Sequence, residues 1–225
     1  MSQSIRLFVQ EIGPLPQAAM LALMHKGLTP TVDFEVIPVP NTGKSPEFLA
    51  LSPTGKAPML VLDGEAIFET VAILEAIDGH VPGPSLQPEH PLKRASHVSW
   101  QLYTVDLLFA TFAANMAPDA QSYGQAIQTS RGKLQQVEDR FGQGPYFYGE
   151  SLASVDFLMA TLFQRLALFE ARYGMRLLTD MPKLQSYAQA LSGLEHLAAS
   201  LPPHFEDVLF GWMDNCGSYM AQQRL

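Results

Sequence analysis

The stretch from Ser52 to Ile77, SPTGKAPMLVLDGEAIFETVAILEAI, constrains this chain more than any other. Pro58 prevents a helix from running through it. Met59 to Leu62 is a short apolar run that reads as a buried strand. Asp63-Gly64 after it is a strong two-residue hairpin signal, because both central positions of the favoured turn need positive φ. The returning strand is then Ala66 to Phe68. Glu69-Thr70 opens a helix, since Val71, Ile73, Leu74 and Ile77 are apolar at helical spacing and Thr70 is a good capping residue.

This order suits a particular kind of ligand. A proline entering a strand can be cis, and in either isomer it donates no ladder hydrogen bond. The backbone at Ala57 is then left on an open edge with which a peptide-like ligand can pair. A helix N-terminus with a Thr hydroxyl suits a carboxylate and a neighbouring Glu suits an ammonium, so Glu69 and Thr70 together read as a site for the zwitterionic end of an amino acid. Lys56 is placed to take a second carboxylate. Residues 1–80 hold only Arg6, Lys26, Lys44 and Lys56 as cations against nine acids. Two lysines flanking one loop are therefore not part of a generally basic surface.

These residues resemble the cytosolic glutathione S-transferases. The family pattern Asn/Ser-Pro-x-Gly-Lys-x-Pro, an Asp-Gly hairpin, then Glu-Ser/Thr and a helix stands here as Ser52-Pro-Thr-Gly-Lys-Ala-Pro58 and Glu69-Thr70. In that family the proline is cis, the residue before it pairs through its backbone with the cysteinyl part of glutathione, and the Glu-Ser/Thr pair holds the γ-glutamyl end. The resemblance thus implies those roles for Pro58, Ala57, Glu69 and Thr70. Some members also place on the glycine carboxylate a Lys two residues before the cis-proline and another in a preceding Lys-Ser-Pro segment. Lys56 fits the first, and Lys44, in Lys44-Ser45-Pro46-Glu47-Phe48, fits the second.

The rest of the chain is read with the same rules. Ile5 to Val9 is a first strand, broken by Gly13-Pro14-Leu15-Pro16. A helix follows, with Pro16 in its first turn, Ala18, Ala19, Leu21, Ala22 and Leu23 inside and Gly27 as a left-handed stop. Val32 to Val39 is a second strand and Pro46 to Leu51 a short helix. This element order is that of an α/β, thioredoxin-like domain over residues 1–80. The proline- and glycine-dense segment 81–91 reads as a linker. Helical periods then dominate, roughly Pro91 to Asn115, Ala120 to Phe141, Ser154 to Tyr173, Pro182 to His196 and a segment after Pro202-Pro203, so residues 92–225 are expected to form an all-helical second domain. The family carries a Ser/Thr-x-x-Asp cap at the start of the third of these helices. Here Asp156 is present but Ala153 has no hydroxyl, and Ser151 or Ser154 is expected to shift the cap.

Charge and composition narrow the function. A net charge of −8 and the absence of any Lys/Arg-rich run argue against a nucleic-acid surface. No apolar run approaches the length of a membrane helix, and the start, MSQSIRLFVQEIG, has no signal-like apolar region. The lone Cys216 fits a reducing compartment, and the protein is expected in the cytoplasm. The histidines show no metal-ligand spacing, so no metal is expected.

The family usually places a Tyr, Ser or Cys after the first strand to meet the glutathione sulfur. The matching position here is Gly13, before Pro14, which has no side chain to donate. Three accounts stand open. The first helix can stabilise the thiolate through backbone N–H groups and its dipole. A neighbour, Gln10 or Glu11, can contact the ligand, although a carboxylate beside the sulfur would raise the thiol pKa. Or the protein binds glutathione without fast transfer chemistry.

For the second substrate, Trp100, Tyr103, Thr104, Leu107, Leu108, Phe109 and Phe112 lie along the first helix of the second domain. Such a stripe is normally core, which leaves Tyr103 and Thr104, with their polar handles, as the substrate-binding candidates. Trp212 and Met213 are expected near the same pocket, and the lone His97 is expected to be structural. The resemblance implies a homodimeric glutathione transferase that uses glutathione as co-substrate and acts on a small apolar electrophile. Its alternatives are a non-catalytic binding or protein-docking member of the stringent-starvation type, or a glutathione-dependent isomerase or lyase.

Overall fold

The computed structural model describes residues 4–223. The chain divides into two compact units. One runs to Val98 and takes in Glu195–Pro202; the other comprises Ser99–Leu194 and the residues from Pro203 on.

In the first unit, β1 (Ile5–Val9) leads to α1 (Pro14–His25), β2 (Glu35–Pro38), α2 (Pro46–Leu51), β3 (Met59–Leu62), β4 (Glu65–Phe68) and α3 (Thr70–His80). The four strands form one mixed sheet in the order β2-β1-β3-β4, with β1 parallel to β2 and antiparallel to β3, and β3 antiparallel to β4. This is the thioredoxin-like arrangement. Asp63 and Gly64 at the hairpin tip have φ of 50° and 92°, as the two-residue turn requires.

Strand β2 is shorter than the apolar pattern predicts. The residues before it fold into a turn in which Asp33 Oδ2 accepts from Thr29 N at 2.7 Å and Thr31, at φ 65°, donates its N–H to Phe34 O. Gly79 and His80 complete the last turn of α3, just before the linker.

Helix α1 is buried on nearly every side from Pro16 to Met24. It packs on α3, and Gln17 Nε2 donates to Ser200 Oγ at 3.0 Å, so the segment Glu195–Pro202 covers it as well. Gly27, at φ 91°, ends it as expected. Beneath the sheet Phe8, Val39, Phe48, Met59 and Val61 make a cluster against which Ala57 packs. Burying a side chain such as Phe48 is worth about 1.5–3 kcal/mol, and it fixes α2 on the core. At the far end of α1, Lys26 and Asp78 form a buried ion pair at 2.9 Å, and Asp78 Oδ1 also accepts from Leu86 N. Gly83 lies so close that a Cβ there would stand 2.9 Å from Lys26 O.

Helix α4 (Pro91–Met116) carries the chain across the division at Val98. The second unit adds α5 (Ala120–Arg140), α6 (Ser154–Tyr173), α7 (Pro182–Ser192), α8 (Phe205–Asn215) and the short α9 (Tyr219–Gln222). Gly193 stops α7 earlier than the apolar period suggests. The cap of α6 is not shifted to Ser151 or Ser154. Ala153 is the N-cap, its N–H donates to Asp156 Oδ2 at 2.8 Å, and its own carbonyl stands in for the missing hydroxyl by accepting from Asp156 N at 2.9 Å. The same carboxylate accepts from Phe147 N and from the buried Tyr187 hydroxyl. Burial pushes the Asp156 carboxyl up to about 6, against those hydrogen bonds.

Candidate glutathione site

The sheet registers line up the residues named from the sequence. Met59 pairs with Phe68 at the last rung of β3–β4, so Ala57 and Pro58 enter β3 where Glu69 and Thr70 leave β4. The Ala57–Pro58 peptide is cis. On the other side of β3, Phe8 pairs with Met59, and Gln10 follows the end of β1. The segments at this end of the sheet thus carry Gln10, Ala57 and Thr70, the last of which opens α3.

At that end Glu69 is exposed and is the N-cap of α3, with φ 67° and ψ 123°. Thr70, expected as the cap, is instead the first helical residue and is buried. The capping conformation falls to Glu69, a left-handed residue whose carbonyl accepts from Ile73 N at 3.0 Å. The unsatisfied N–H groups of the first turn of α3 and the positive end of its dipole face outward beyond Glu69.

The loop before Pro58 is held by its own polar groups. Gly55, at φ 60°, donates to Ser52 O, and Lys56 N donates to Thr54 Oγ1 at 3.3 Å. Lys44 reaches this loop from ahead of α2, where Nζ donates to Gly55 O at 2.5 Å. Lys56 is exposed, and its ammonium joins no ion pair among the described residues. The Lys44 side chain thus meets the loop that carries Lys56. The hydrogen bond from Lys44 to the loop itself was not foreseeable, because it depends on where α2 sits.

Gly13 caps α1 with φ −72° and ψ 130°, a conformation open to any residue. Space, not conformation, crowds a side chain there. A Cβ would stand 2.9 Å from Pro16 Cδ and 3.0 Å from Gln10 Oε1. The turn Gln10–Gly13 is closed by Gly13 N donating to Gln10 O at 3.0 Å. The first three helical positions are Pro14, Leu15 and Pro16, so only Leu15 has a backbone N–H where an ordinary helix start offers three.

Tyr103 and Thr104 lie in the second unit with their hydroxyl protons already committed. Tyr103 donates to Lys133 O at 3.2 Å beneath the Lys133 ammonium, and Thr104, 1% exposed, donates to Trp100 O at 2.8 Å in its own helix. Burial pushes the Tyr103 phenol up. The expectation that the α4 aromatics are core needs correcting. Leu107 and Leu108 are buried, but Phe109 and Phe112 are 58% and 47% exposed, with Phe112 stacked on Trp212 at 5.8 Å. Besides Leu107, Leu108 and Ala114, this part of α4 buries Gln101, Thr104, Thr111 and Asn115, polar groups that apolar periodicity does not pick out.

Comparison with known proteins agrees with this geometry. Residues 12–80 match the family model described as glutathione S-transferase, N-terminal domain. Glutathione S-transferase U7 of Arabidopsis thaliana is 23% identical over 212 residues, 93% of this chain and 92% of its own length. Glutathione S-transferase omega-1 of Sus scrofa is 26% identical over 191 residues, 83% and 76% of the two chains. Among solved structures, a rice glutathione S-transferase crystallised with glutathione superposes with a TM-score of 0.81 at 21% identity, covering 95% of this chain and 96% of that one. The fold is that of the glutathione S-transferases, and residues 12–80 match their N-terminal domain. Among the described residues no helix is long and apolar enough to cross a membrane, and no cluster of three or more His, Cys, Asp or Glu is arranged to hold a metal.

Proposed function

We propose that the protein is a glutathione transferase that holds glutathione against Ala57 and Thr70 and presents its thiol to a small apolar electrophile. What supports this reading is that Ala57 and cis-Pro58 enter β3 at the rung, Met59–Phe68, where Glu69 and Thr70 leave β4. Ala57 offers main chain to the cysteinyl portion. The Glu69 carboxylate takes the γ-glutamyl ammonium, and the Thr70 hydroxyl with the first N–H groups of α3 takes its carboxylate. Lys44 and Lys56 receive the glycine carboxylate, each as an ammonium with donors to spare. Tyr103 serves the second substrate through its half-buried aromatic ring, while Thr104 is too buried to touch it and holds α4 through Trp100 O. By family likeness the protein acts as a cytoplasmic homodimer.

Several relatives were solved with glutathione bound, which supports the choice of co-substrate. Calorimetry of glutathione with the parent and with Glu69→Ala tests it. Clear binding that the substitution weakens by tenfold or more is expected, because the γ-glutamyl ammonium would lose its counter-charge and a charge-assisted hydrogen bond. Absence of binding to the parent would sink the reading.

Gly13 favours a second reading, in which glutathione is bound without turnover. Conjugation of a generic aryl halide, followed spectroscopically, separates the two, since a binding protein would leave the rate at that of the uncatalysed thiol.

A further inference from the structure

We propose that Gln10 supplies the hydrogen-bond donor to the glutathione sulfur that Gly13 lacks. This rests on the glutathione reading above. Three observations meet at the residue. Its carboxamide reaches the space a side chain at position 13 would fill, with Oε1 3.0 Å from where that Cβ would stand. It follows β1 at the end of the sheet where Phe8 pairs with Met59 and Ala57 leads into β3, the main chain read above as facing the cysteinyl portion. And it is half-buried, with its side chain in no hydrogen bond among the described residues. With Oε1 turned toward Gly13, the Nε2 amino group is the arm left for a ligand.

The neighbouring candidates are weaker. Glu11 carries the wrong charge for a thiolate and is exposed. The start of α1 has prolines at its first and third positions and only Leu15 N–H between them. Pro16 explains the substitution of one donor for the other. Its ring occupies the place from which a Ser or Cys at position 13 would project.

The chemistry is a donated hydrogen bond and not a proton transfer. The thiol S–H bond breaks with its proton passing to solvent. The sulfur keeps the electron pair, and an Nε2–H bond to the anion favours that form. When the thiolate attacks, an S–C bond forms and the electrophile's leaving group departs with its own electron pair, while Gln10 ends unchanged.

Titrating the bound thiol by thiolate absorbance tests the assignment, using the parent, Gln10→Met and Gln10→Glu. Methionine keeps the length without the donor, and glutamate replaces it with a repelling charge. A thiol pKa below that of free glutathione is expected in the parent. Gln10→Met should raise it by about one pH unit, a tenfold loss of thiolate, as for a hydrogen bond to a charged group, and Gln10→Glu should raise it further. S-methylglutathione, which has no thiol, should bind the parent and Gln10→Met alike. Equal thiol pKa values in the parent and both variants, with that binding intact, would overturn the role of Gln10 and leave the glutathione reading standing. Failure of the parent to bind either ligand would overturn both.

Discussion

Lys44 donates from Nζ to the carbonyl oxygen of Gly55 at 2.5 Å, so a side chain ahead of α2 closes on the turn that carries Lys56. The two lysines of the site are thus unequal. One helps build the loop and the other only stands on it. Both Lys44→Met and Lys56→Met should weaken glutathione binding, by about tenfold or 1.4 kcal/mol each, measured by calorimetry. Only Lys44→Met should also lower the melting temperature. The loss on Lys56→Met should shrink at high salt, because an exposed charge acts through a screened field. Equal melting temperatures for the two variants would contradict this division.

Restoring a hydroxyl at position 13 should not be a simple repair. Gly13→Ser forces its Cβ against the Pro16 ring, which is locked to the backbone and cannot swing away. Overpacking of this kind costs about 1–3 kcal/mol, to be read by denaturant unfolding. Pro16→Ala removes both clashing ring carbons, so Gly13→Ser with Pro16→Ala should be more stable than the sum of the single effects by about 1 kcal/mol or more. Strict additivity in that cycle would show the crowding to be unimportant.

Glu69 holds a left-handed φ of 67° without being glycine. A residue in such a region carries about 1–3 kcal/mol of strain, which glycine would relieve at a smaller entropic cost. Glu69→Gly should therefore raise the melting temperature by about 2–4 °C while glutathione affinity falls at least tenfold. Glu69→Ala should lose the affinity without the gain. A drop in melting temperature for Glu69→Gly would argue that its backbone is relaxed.

The imidazole of His97 is buried, and desolvation holds its pKa at about 4, with Asp78 opposing the shift and Arg94 adding to it. The unfolded chain takes up this proton near pH 6.5 and the folded one only near 4. Between those values the unfolded state binds more protons, so stability is lost as pH falls from about 6.5 to 4, by about 3 kcal/mol in all. Asp156, raised to about 6, has the opposite slope between about pH 4 and 6, so the parent alone can look flat. The difference between the parent and His97→Gln in urea unfolding isolates the histidine. It should widen in favour of the variant as pH falls, and a constant offset would rule this out.

What the sequence disclosed was whatever depends on local backbone rules. Asp63-Gly64 needs positive φ wherever it stands, and the strand limits of β1 and β3 followed from short apolar runs. The residues from Ser52 to Thr70 were legible because their spacing, not their surroundings, determines that they meet. The misreadings came from effects acting across the fold. The side-chain bond of Asp33 to Thr29 N shortened β2, and a backbone carbonyl at Ala153 replaced a hydroxyl. The outward aromatics of α4 misled because the stripe it buries includes Gln101, Thr104, Thr111 and Asn115, and of these the two threonine hydroxyls are satisfied by their own helix. The crowding of Gly13 by Pro16 was hidden for the same reason, since a glycine reads as conformational freedom until distances are known.

The bond between Gln17 and Ser200 has a practical corollary for anyone dividing the protein. A fragment cut at the proline-rich segment would keep every strand of the sheet and yet leave the flank of α1 around Gln17 without its cover. The amino-terminal half is thus completed by a stretch translated more than a hundred positions later, and it should stay aggregation-prone until that stretch has been synthesised.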